Sequence, residues 1–450
     1  MSAAQKRVLV FGAGRVSGPL YEDLAAEKDV VVTAVSVSNS KLERVSQLCP
    51  GVRLECVDIT QDADGRNRLI AEHDVVVGLV PYSLLPDIAR ACLSLRKHLV
   101  SASYVDDDVK KLHQQATEAG LTFLCEVGLD PGIDHMLAMR TFDDIQHRGG
   151  KVTSYQLWCG GLPAPECADN PLKYKFSWYP RGSLHACCRG GGYIKDGQVE
   201  HIPEGPFLVE SAQDLDFIPE LKMEGFPNVF KPAYLTLYGL QTVENFLRGT
   251  LRYKGFGAGV LGLMKLGLFS VSPMSLLQAG SRGVTWRKFI CNELGLREDI
   301  SAENLESKVK DQAGGQSQLE VIKRLGLLES EEIETKGTPL DTLANFLEKR
   351  SEFMFGPDER DLVVMHIEVT GSFPDGSREK RKLDMAVYGD ARKHSAMAKT
   401  VGHTVASGVM LLLTGEITER GVVLPVSPSI YRPLLSDLEK KGISFTDRKT

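Results

Sequence analysis

The sequence predicts an α/β protein whose first third is a doubly wound parallel sheet. Three observations predict it: short runs of Val, Ile and Leu recur between residues 7 and 127, amphipathic stretches separate them, and a glycine-rich turn closes the first run. Strands buried on both faces read as continuous apolar runs, and the helices between them carry the chain back across the sheet.

Residues 7–12 form the first expected strand, and a helix follows over 16–28. Further strands are expected at 30–37, 52–59, 74–81, 98–104 and 121–127, with helices over 83–96 and 106–119 among the connections. After Gly150 the period changes. Residues 151–158 alternate as a half-exposed strand does, and Gly160-Gly161-Leu162-Pro163-Ala164-Pro165 reads as an extended loop. Strands at 361–369 and 379–387 flank the turn Pro374-Asp375-Gly376-Ser377 and predict a hairpin. Residues 257–352 are mostly helical, and helix returns after Ser395.

The chain has 450 residues, a net charge of -6 and nine cysteines without a Cys-x-x-Cys pair. No basic stripe suits a nucleic-acid partner, and the odd cysteine count suits reduced thiols in a cytoplasmic protein. Strand-forming residues begin at Arg7, which leaves no room for a signal or transit peptide. The most apolar late stretch, 401–414, is broken by Gly402, His403 and Ser407 and reads as a packed helix rather than a membrane span.

Gly12-Ala13-Gly14-Arg15-Val16-Ser17 closes the first strand and opens the first helix. The first glycine permits the tight turn, and the second lets backbone amides approach a pyrophosphate at the helix N-terminus. Ser17 stands where a third glycine is usual, and Pro19 falls in the first helical turn, where its missing N–H costs little. The placement predicts a dinucleotide-binding Rossmann sheet. The second strand ends in Val37-Ser38-Asn39-Ser40-Lys41. It offers no carboxylate to repel a ribose phosphate and several donors to accept one, so NADP is expected, with NAD the alternative. Asp58 and Ile59, ending the third strand, suit an adenine.

Three more strand ends converge on the same crevice: Pro81-Tyr82, Ser103-Tyr104 and Leu129-Asp130-Pro131-Gly132. A packed ring is the plainer reading of a strand-end tyrosine, and a turn initiator the plainer reading of Asp-Pro. Their coincidence at the carboxyl edge makes them site residues. His135 and Arg140 on the next helix read as structural, and no metal-ligand cluster accompanies them. The second domain adds Cys159 to Glu166, Asn170 to Trp178 and Leu247 to Tyr253, where arginine, lysine and glycine lie beside aromatics, a composition suited to a polyanionic small molecule.

Ser-Tyr-Val at 103–105, Gly-Leu-Asp-Pro-Gly-Ile-Asp-His at 128–135 and Cys-Gly-Gly-Leu-Pro-Ala-Pro-Glu at 159–166 resemble the L-glutamate-forming saccharopine dehydrogenases, also called saccharopine reductases. So do Tyr-Lys-Phe-Ser-Trp at 174–178, Arg-Gly-Thr-Leu-Arg-Tyr at 248–253 and Ser-Ala-Met-Ala-Lys at 395–399. The chain is also similar to the C-terminal half of the animal bifunctional aminoadipic semialdehyde synthase. The resemblance implies condensation of L-glutamate with 2-aminoadipate 6-semialdehyde and reduction of the imine by a nicotinamide cofactor to saccharopine, reversibly, in lysine metabolism.

Carried over by motif, Ser103, Tyr104, Asp130, Thr250, Leu251 and Arg252 meet the substrate. Gly12, Ala13, Gly14, Arg15, Val37, Ser38, Asp58, Ile59, Pro81, Leu129, Asp130 and Pro131 line the cofactor. Tyr104, Asp130 and Cys159 are the candidates for moving the proton that accompanies the hydride. The expected layout is a cofactor domain at 1–132 and a mixed-sheet α/β substrate domain at 133–256. A helical insertion follows at 257–352, then returning strands at 353–394 and a helical return to the first domain at 395–450. The substrates are small molecules, and a homodimer is allowed.

The chain departs from the family pattern twice. Members usually follow Pro-Asn with an arginine that grips a substrate carboxylate, and here Asn228 is followed by Val229, with Lys231 nearby as a point charge. NADP-using members place an arginine where Val37 stands. Two rival readings follow: a related imine-reducing synthase with another amine and semialdehyde, or a cofactor-binding paralogue that has lost turnover.

Overall fold

The strand ends that should carry the chemistry take their positions from two sheets. The structure, a computed structural model, describes residues 5–177 and 180–450, so Trp178 of the aromatic motif lies outside the described residues. In chain order the strands are β1 (Lys6–Phe11), β2 (Val30–Ser36), β3 (Arg53–Cys56), β4 (Val75–Gly78), β5 (His98–Ser101) and β6 (Thr122–Leu124). There follow β7 (Lys151–Pro163), β8 (Gly191–Lys195), β9 (Gln198–Ile202), β10 (Gln213–Leu215), β11 (Met223–Pro227), β12 (Asn245–Tyr253) and β13 (Asp361–Ser372). The last are β14 (Arg378–Tyr388), β15 (Gly421–Val423) and β16 (Thr446–Lys449). The chain divides into two compact units, one of Met1–Val152, Leu235–Leu240 and Gly371–Thr450, the other of Thr153–Tyr234 and Gln241–Thr370.

The first unit is built on a parallel sheet in the order β15-β6-β5-β4-β1-β2-β3. Its central strands are almost wholly apolar and buried: Val8 to Phe11 in β1 and Val75 to Val77 in β4. This is the doubly wound order, with its reversal between β1 and β4. Several strands end sooner than their composition suggests, because polar side chains fold onto the backbone. Asp58 Oδ1 accepts from the Thr60 amide at 2.9 Å, and Ser101 Oγ from the Ser103 amide at 3.1 Å. Such local bonds compete with the ladder.

The sequence pattern missed β15, whose three residues add a seventh strand beside β6. It also missed β16, which pairs antiparallel with β14. That pairing, with Arg381 bonded to Asp144 and Asp447, accompanies the grouping of 371–394, expected in the second domain, with the first unit. The helix Ala396–Leu413 packs along the helix Gly18–Ala26 that follows the glycine turn. A Cβ on Gly402 would lie 2.9 Å from the Val16 carbonyl oxygen, so only glycine allows this approach. Asp23 on the first helix receives His403 at 2.8 Å and Lys441 at 2.7 Å. By length and composition Ala396–Leu413 is apolar enough to cross a membrane, yet more than half of it is buried inside the protein.

The second unit holds a mixed sheet in the order β10-β11-β12-β7-β13, with β8 on β12 and β9 on β8. β10, β11 and β12 run antiparallel, whereas β12 and β7 run parallel. The expected loop at 160–165 is largely strand, since β7 continues to Pro163. Glycine explains it: a Cβ on Gly160 would lie 2.7 Å from Leu251, so the strand can lie flat against β12 only without one. Helices Phe256–Lys265, Trp286–Glu293, Ala302–Ala313, Gln316–Arg324 and Pro339–Glu348 fill the region between β12 and β13. They close around an apolar core that includes Trp286, Phe289, Leu305, Leu340 and Leu343.

Candidate functional site

The strand order lays the candidate residues of the first unit in one row along the carboxyl edge. From the β6 side they read Leu129-Asp130-Pro131, Ser103-Tyr104, Pro81, Gly12 to Arg15, Val37-Ser38 and Asp58-Ile59. A ligand lying across the row would meet them in that order. Gly12 has φ +126°, and a Cβ there would sit 2.3 Å from the Leu79 carbonyl oxygen, so the turn demands glycine. Around Gly14 nothing lies within 4 Å of a built Cβ, which is the open approach a phosphate needs.

Tyr21 donates to the Gly12 carbonyl at 3.0 Å, and Ser17 Oγ donates to the Gly14 carbonyl at 2.9 Å. Arg44, unflagged by the sequence pattern, holds the same turn. Its Nη2 donates to the carbonyls of Ala13 at 3.2 Å and Gly14 at 3.0 Å. A guanidinium therefore stands beside the loop after β2, where Val37 is 65% exposed and carries no charge. Ser38 precedes the helix Asn39–Leu48, and its Oγ lies 3.0 Å from that of Ser40. Hydrogen bonds from Thr60 hold the Asp58 carboxyl below its ordinary range, so it stays an acceptor at neutral pH.

At the β5 and β6 ends, the Tyr104 hydroxyl donates to Asp130 Oδ1 at 2.8 Å. The turn below Asp130 is tightly specified. The Asp130–Pro131 bond is cis, and Gly132 has φ +146°. The Gly128 amide donates to the Pro131 carbonyl at 3.0 Å, the Ile133 amide to the Gly128 carbonyl at 3.0 Å, and the Gly132 amide to Asp134 Oδ1 at 2.5 Å. His135 has the structural place expected of it: it is fully buried between Glu126 and Tyr238. Arg140 likewise lies over the Phe445 ring, 4.2 Å from its centroid, and bonds Asp447.

In the second unit, register brings Cys159 and Thr250 side by side on β7 and β12, and Glu224 of β11 opposite Arg252. Side chains alternate across a sheet, so Thr250 and Arg252 share a face with Cys159 while Leu251 turns to the other. The Leu251 side chain is buried with Trp158, which leaves only its backbone for the substrate contact expected of it. Thr250 Oγ1 donates to Asn228 Oδ1 at 2.6 Å, and the next residue, Val229, stands half exposed.

Arg252 is the most informative group of this unit. Its guanidinium lies 4.6 Å from the Tyr174 ring centroid and 5.2 Å from that of Phe256, and Nη1 donates to the Leu251 carbonyl at 2.6 Å. Its Nε is buried and has no hydrogen-bond partner among the described residues. A buried donor without an acceptor is uncommon and costly. The opposing carboxylate, Glu224, is already engaged, accepting from the amides of Gly257 at 2.6 Å and Gly255 at 3.0 Å and so fixing the start of the helix that carries Phe256. Cys187 cannot neutralise the cation, because burial pushes its thiol up to about 12 against the opposing pull of Arg252. The motif lysine, Lys175, is spent on Glu359 at 2.9 Å. Asn170 donates to the Tyr174 carbonyl at 2.9 Å and so steadies the ring under Arg252.

The sequence had pointed to Arg252, but not to Tyr174 and Phe256 as its cage, nor to Glu224. Glu126 escaped notice too, although an acid inside the apolar run 121–129 was a readable signal.

Residues 8–124 match the family model described as the saccharopine dehydrogenase NADP binding domain, and residues 128–443 the one described as the saccharopine dehydrogenase C-terminal domain. The mitochondrial alpha-aminoadipic semialdehyde synthase of Rattus norvegicus is 37% identical over 100% of this chain and 48% of its own length, so the chain spans about half of that relative. The NADP(+), L-glutamate-forming saccharopine dehydrogenase of Saccharomyces cerevisiae is 33% identical over 99% of both chains. The solved apo structure of the Saccharomyces cerevisiae L-Glu-forming enzyme superposes with a TM-score of 0.92, covering 99% of this chain and 100% of that one at 32% identity.

Proposed function

The chain belongs to the saccharopine dehydrogenase family, and from that premise we propose that it is a saccharopine dehydrogenase of the L-glutamate-forming kind, using NADP. Saccharopine, a secondary amine, loses a hydride from carbon to the bound nicotinamide and a proton from nitrogen. The resulting imine adds water and separates into L-glutamate and 2-aminoadipate 6-semialdehyde. In the opposite direction the same steps run backward.

One observation supports the substrate class above the others: the buried Nε of Arg252 that lacks an acceptor. A carboxylate gripping that edge would satisfy it, and saccharopine is a polycarboxylate. Thr250 adds a hydroxyl on the same face, and Ser103 and Asp130 are read as the contacts of the first unit. Asp130, bonded to the Tyr104 hydroxyl, is suited to hold an ammonium or iminium. Tyr104, Asp130 and Cys159 are the groups assigned to the proton. Gly12 to Arg15, Val37, Ser38, Asp58, Ile59, Pro81 and Leu129 to Pro131 are assigned to the cofactor, with residues 1–132 as its domain. Nine free thiols suit the cytoplasmic location that belongs to this reading, and a homodimer completes it.

The test is direct. The purified chain is given saccharopine with NADP+ or NAD+, and cofactor reduction and glutamate release are followed. NADP-dependent release of glutamate is the expected result. Cofactor binding without turnover of saccharopine would remove the proposal and leave the non-catalytic paralogue.

A further inference from the structure

A buried carboxylate behind the Asp130 turn has no part in the roles assigned so far. Glu126 sits just after β6, 5% exposed, with φ +57°, a left-handed conformation that a non-glycine residue adopts only when its surroundings impose it. Both of its oxygens are engaged. Oε1 accepts from the Val105 amide at 2.9 Å, and Oε2 lies 2.8 Å from His135 Nε2. His135 Nδ1 lies 2.6 Å from the Tyr238 hydroxyl. The network is satisfied with the proton on Nε2 and Tyr238 donating to Nδ1, so that Glu126 accepts from two N–H groups. All members of the chain are buried, and the histidine packs edge-on against Tyr238 at 5.7 Å.

What the network touches gives it a purpose. Val105 follows Tyr104 directly, and Tyr104 donates to Asp130. His135 lies on the helix Ile133–His147 that begins at the Asp130 turn. Glu126 thus ties the loop after β5 to that helix through one hydrogen bond on each side. It adds a fixed point next to Tyr104 to the one that the Ser101 turn supplies, and so helps to hold the distance from Tyr104 to Asp130.

We infer that Glu126, oriented by His135 and Tyr238, is a positioning residue that holds Tyr104 against Asp130 by accepting the Val105 amide. The inference rests on the reading of Tyr104 and Asp130 as the substrate-facing pair.

Glu126→Leu removes the acceptor at similar volume, whereas Glu126→Gln keeps a carbonyl oxygen for the Val105 amide. Two readouts are taken on the full chain. Amide hydrogen exchange over 101–109, measured without substrate, accelerates about tenfold or more at Val105 in the leucine variant and much less in the glutamine variant. Saccharopine turnover falls about tenfold to a hundredfold in kcat for the leucine variant, with NADPH affinity unchanged, and the glutamine variant recovers most of it. Unchanged exchange at Val105 overturns the inference, as does faster exchange with kcat intact. Should the leucine variant not fold, Tyr238→Phe and the wild-type chain decide. Tyr238→Phe should accelerate Val105 exchange by a smaller factor, and the wild-type amide should exchange as slowly as Val100 inside β5; fast wild-type exchange overturns the inference outright. The exchange arm needs no turnover, so an absence of saccharopine activity in the wild type would count against the proposed reaction alone.

Discussion

The turn at Asp130 and the guanidinium of Arg252 treat charge in opposite ways. Around Asp130 donors and acceptors close on one another: Tyr104 on Asp130, the Val105 amide on Glu126, His135 on Glu126 and Tyr238 on His135. Around Arg252 the acceptors have been spent elsewhere, Glu224 on two backbone amides, and a buried Nε is left without one. Polar groups that satisfy each other fix a shape, while a buried donor left open calls for a ligand. On the proposed reading, the first unit holds geometry and the second recognises an anion.

That contrast can be broken by substitution. Asp130→Ala should have the largest effect, lowering kcat/KM for saccharopine by about 10² to 10⁴, the range spanned by groups that manage protons. Retention of near-normal turnover would deny Asp130 its role. Arg252→Met should raise the saccharopine KM about tenfold to a hundredfold, the loss expected for a charge-assisted hydrogen bond, with NADP+ affinity unaltered. Arg252→Lys should recover little, since an ammonium has neither the planar fork nor the stacking surface that Tyr174 and Phe256 receive. A lysine variant equal to wild type would mean that net charge alone matters there.

A smaller change sharpens the same contrast. Val229→Arg places a second guanidinium beside Asn228 and Thr250 and should lower the saccharopine KM by up to about tenfold. An unchanged KM would show that the substrate does not reach Val229. The smallest effect concerns pH. Burial alone would raise the Asp23 carboxyl, but hydrogen bonds from His403 and Lys441 outweigh it and leave the group below its ordinary value. Its stabilising contribution is therefore complete above the unfolded pKa, about 3.9, and is lost as pH falls through the lower folded value. Thermal denaturation of wild type and Asp23→Asn should differ near neutrality and converge in strong acid; an equal gap at both ends would refute the pairing.

Much of this was legible in the residues. The six N-terminal strands, the glycine turn and the row of strand ends follow from apolar runs and turn chemistry, which act over a few neighbours. The errors arose where distant partners decide. Residues 160–163 look like a loop, because glycine and proline weaken a strand on their own; they join β7 because Leu251 leaves no room for a Cβ. Tyr174 was singled out only as part of an aromatic motif and Phe256 not at all, since nothing local says that both lie over one guanidinium. Glu126 was passed over because its partners, Val105 and His135, lie on other elements. Val37 stands where NADP-using members place an arginine, and nothing local pointed to Arg44, on the following helix, which bonds the glycine turn.

The short strand β15 carries a consequence for synthesis. The Thr122 hydroxyl donates to the Glu419 carbonyl, 297 residues further on, and Gly421 to Val423 then cover the outer edge of β6. At ribosomal speeds of about 5–20 residues per second, that edge waits roughly 15–60 s for its neighbour. An uncovered edge strand invites pairing with other chains. The outer edge of β6 is therefore covered only after the chain has been made through Val423, later than the helix Ala396–Leu413 that packs on the same unit.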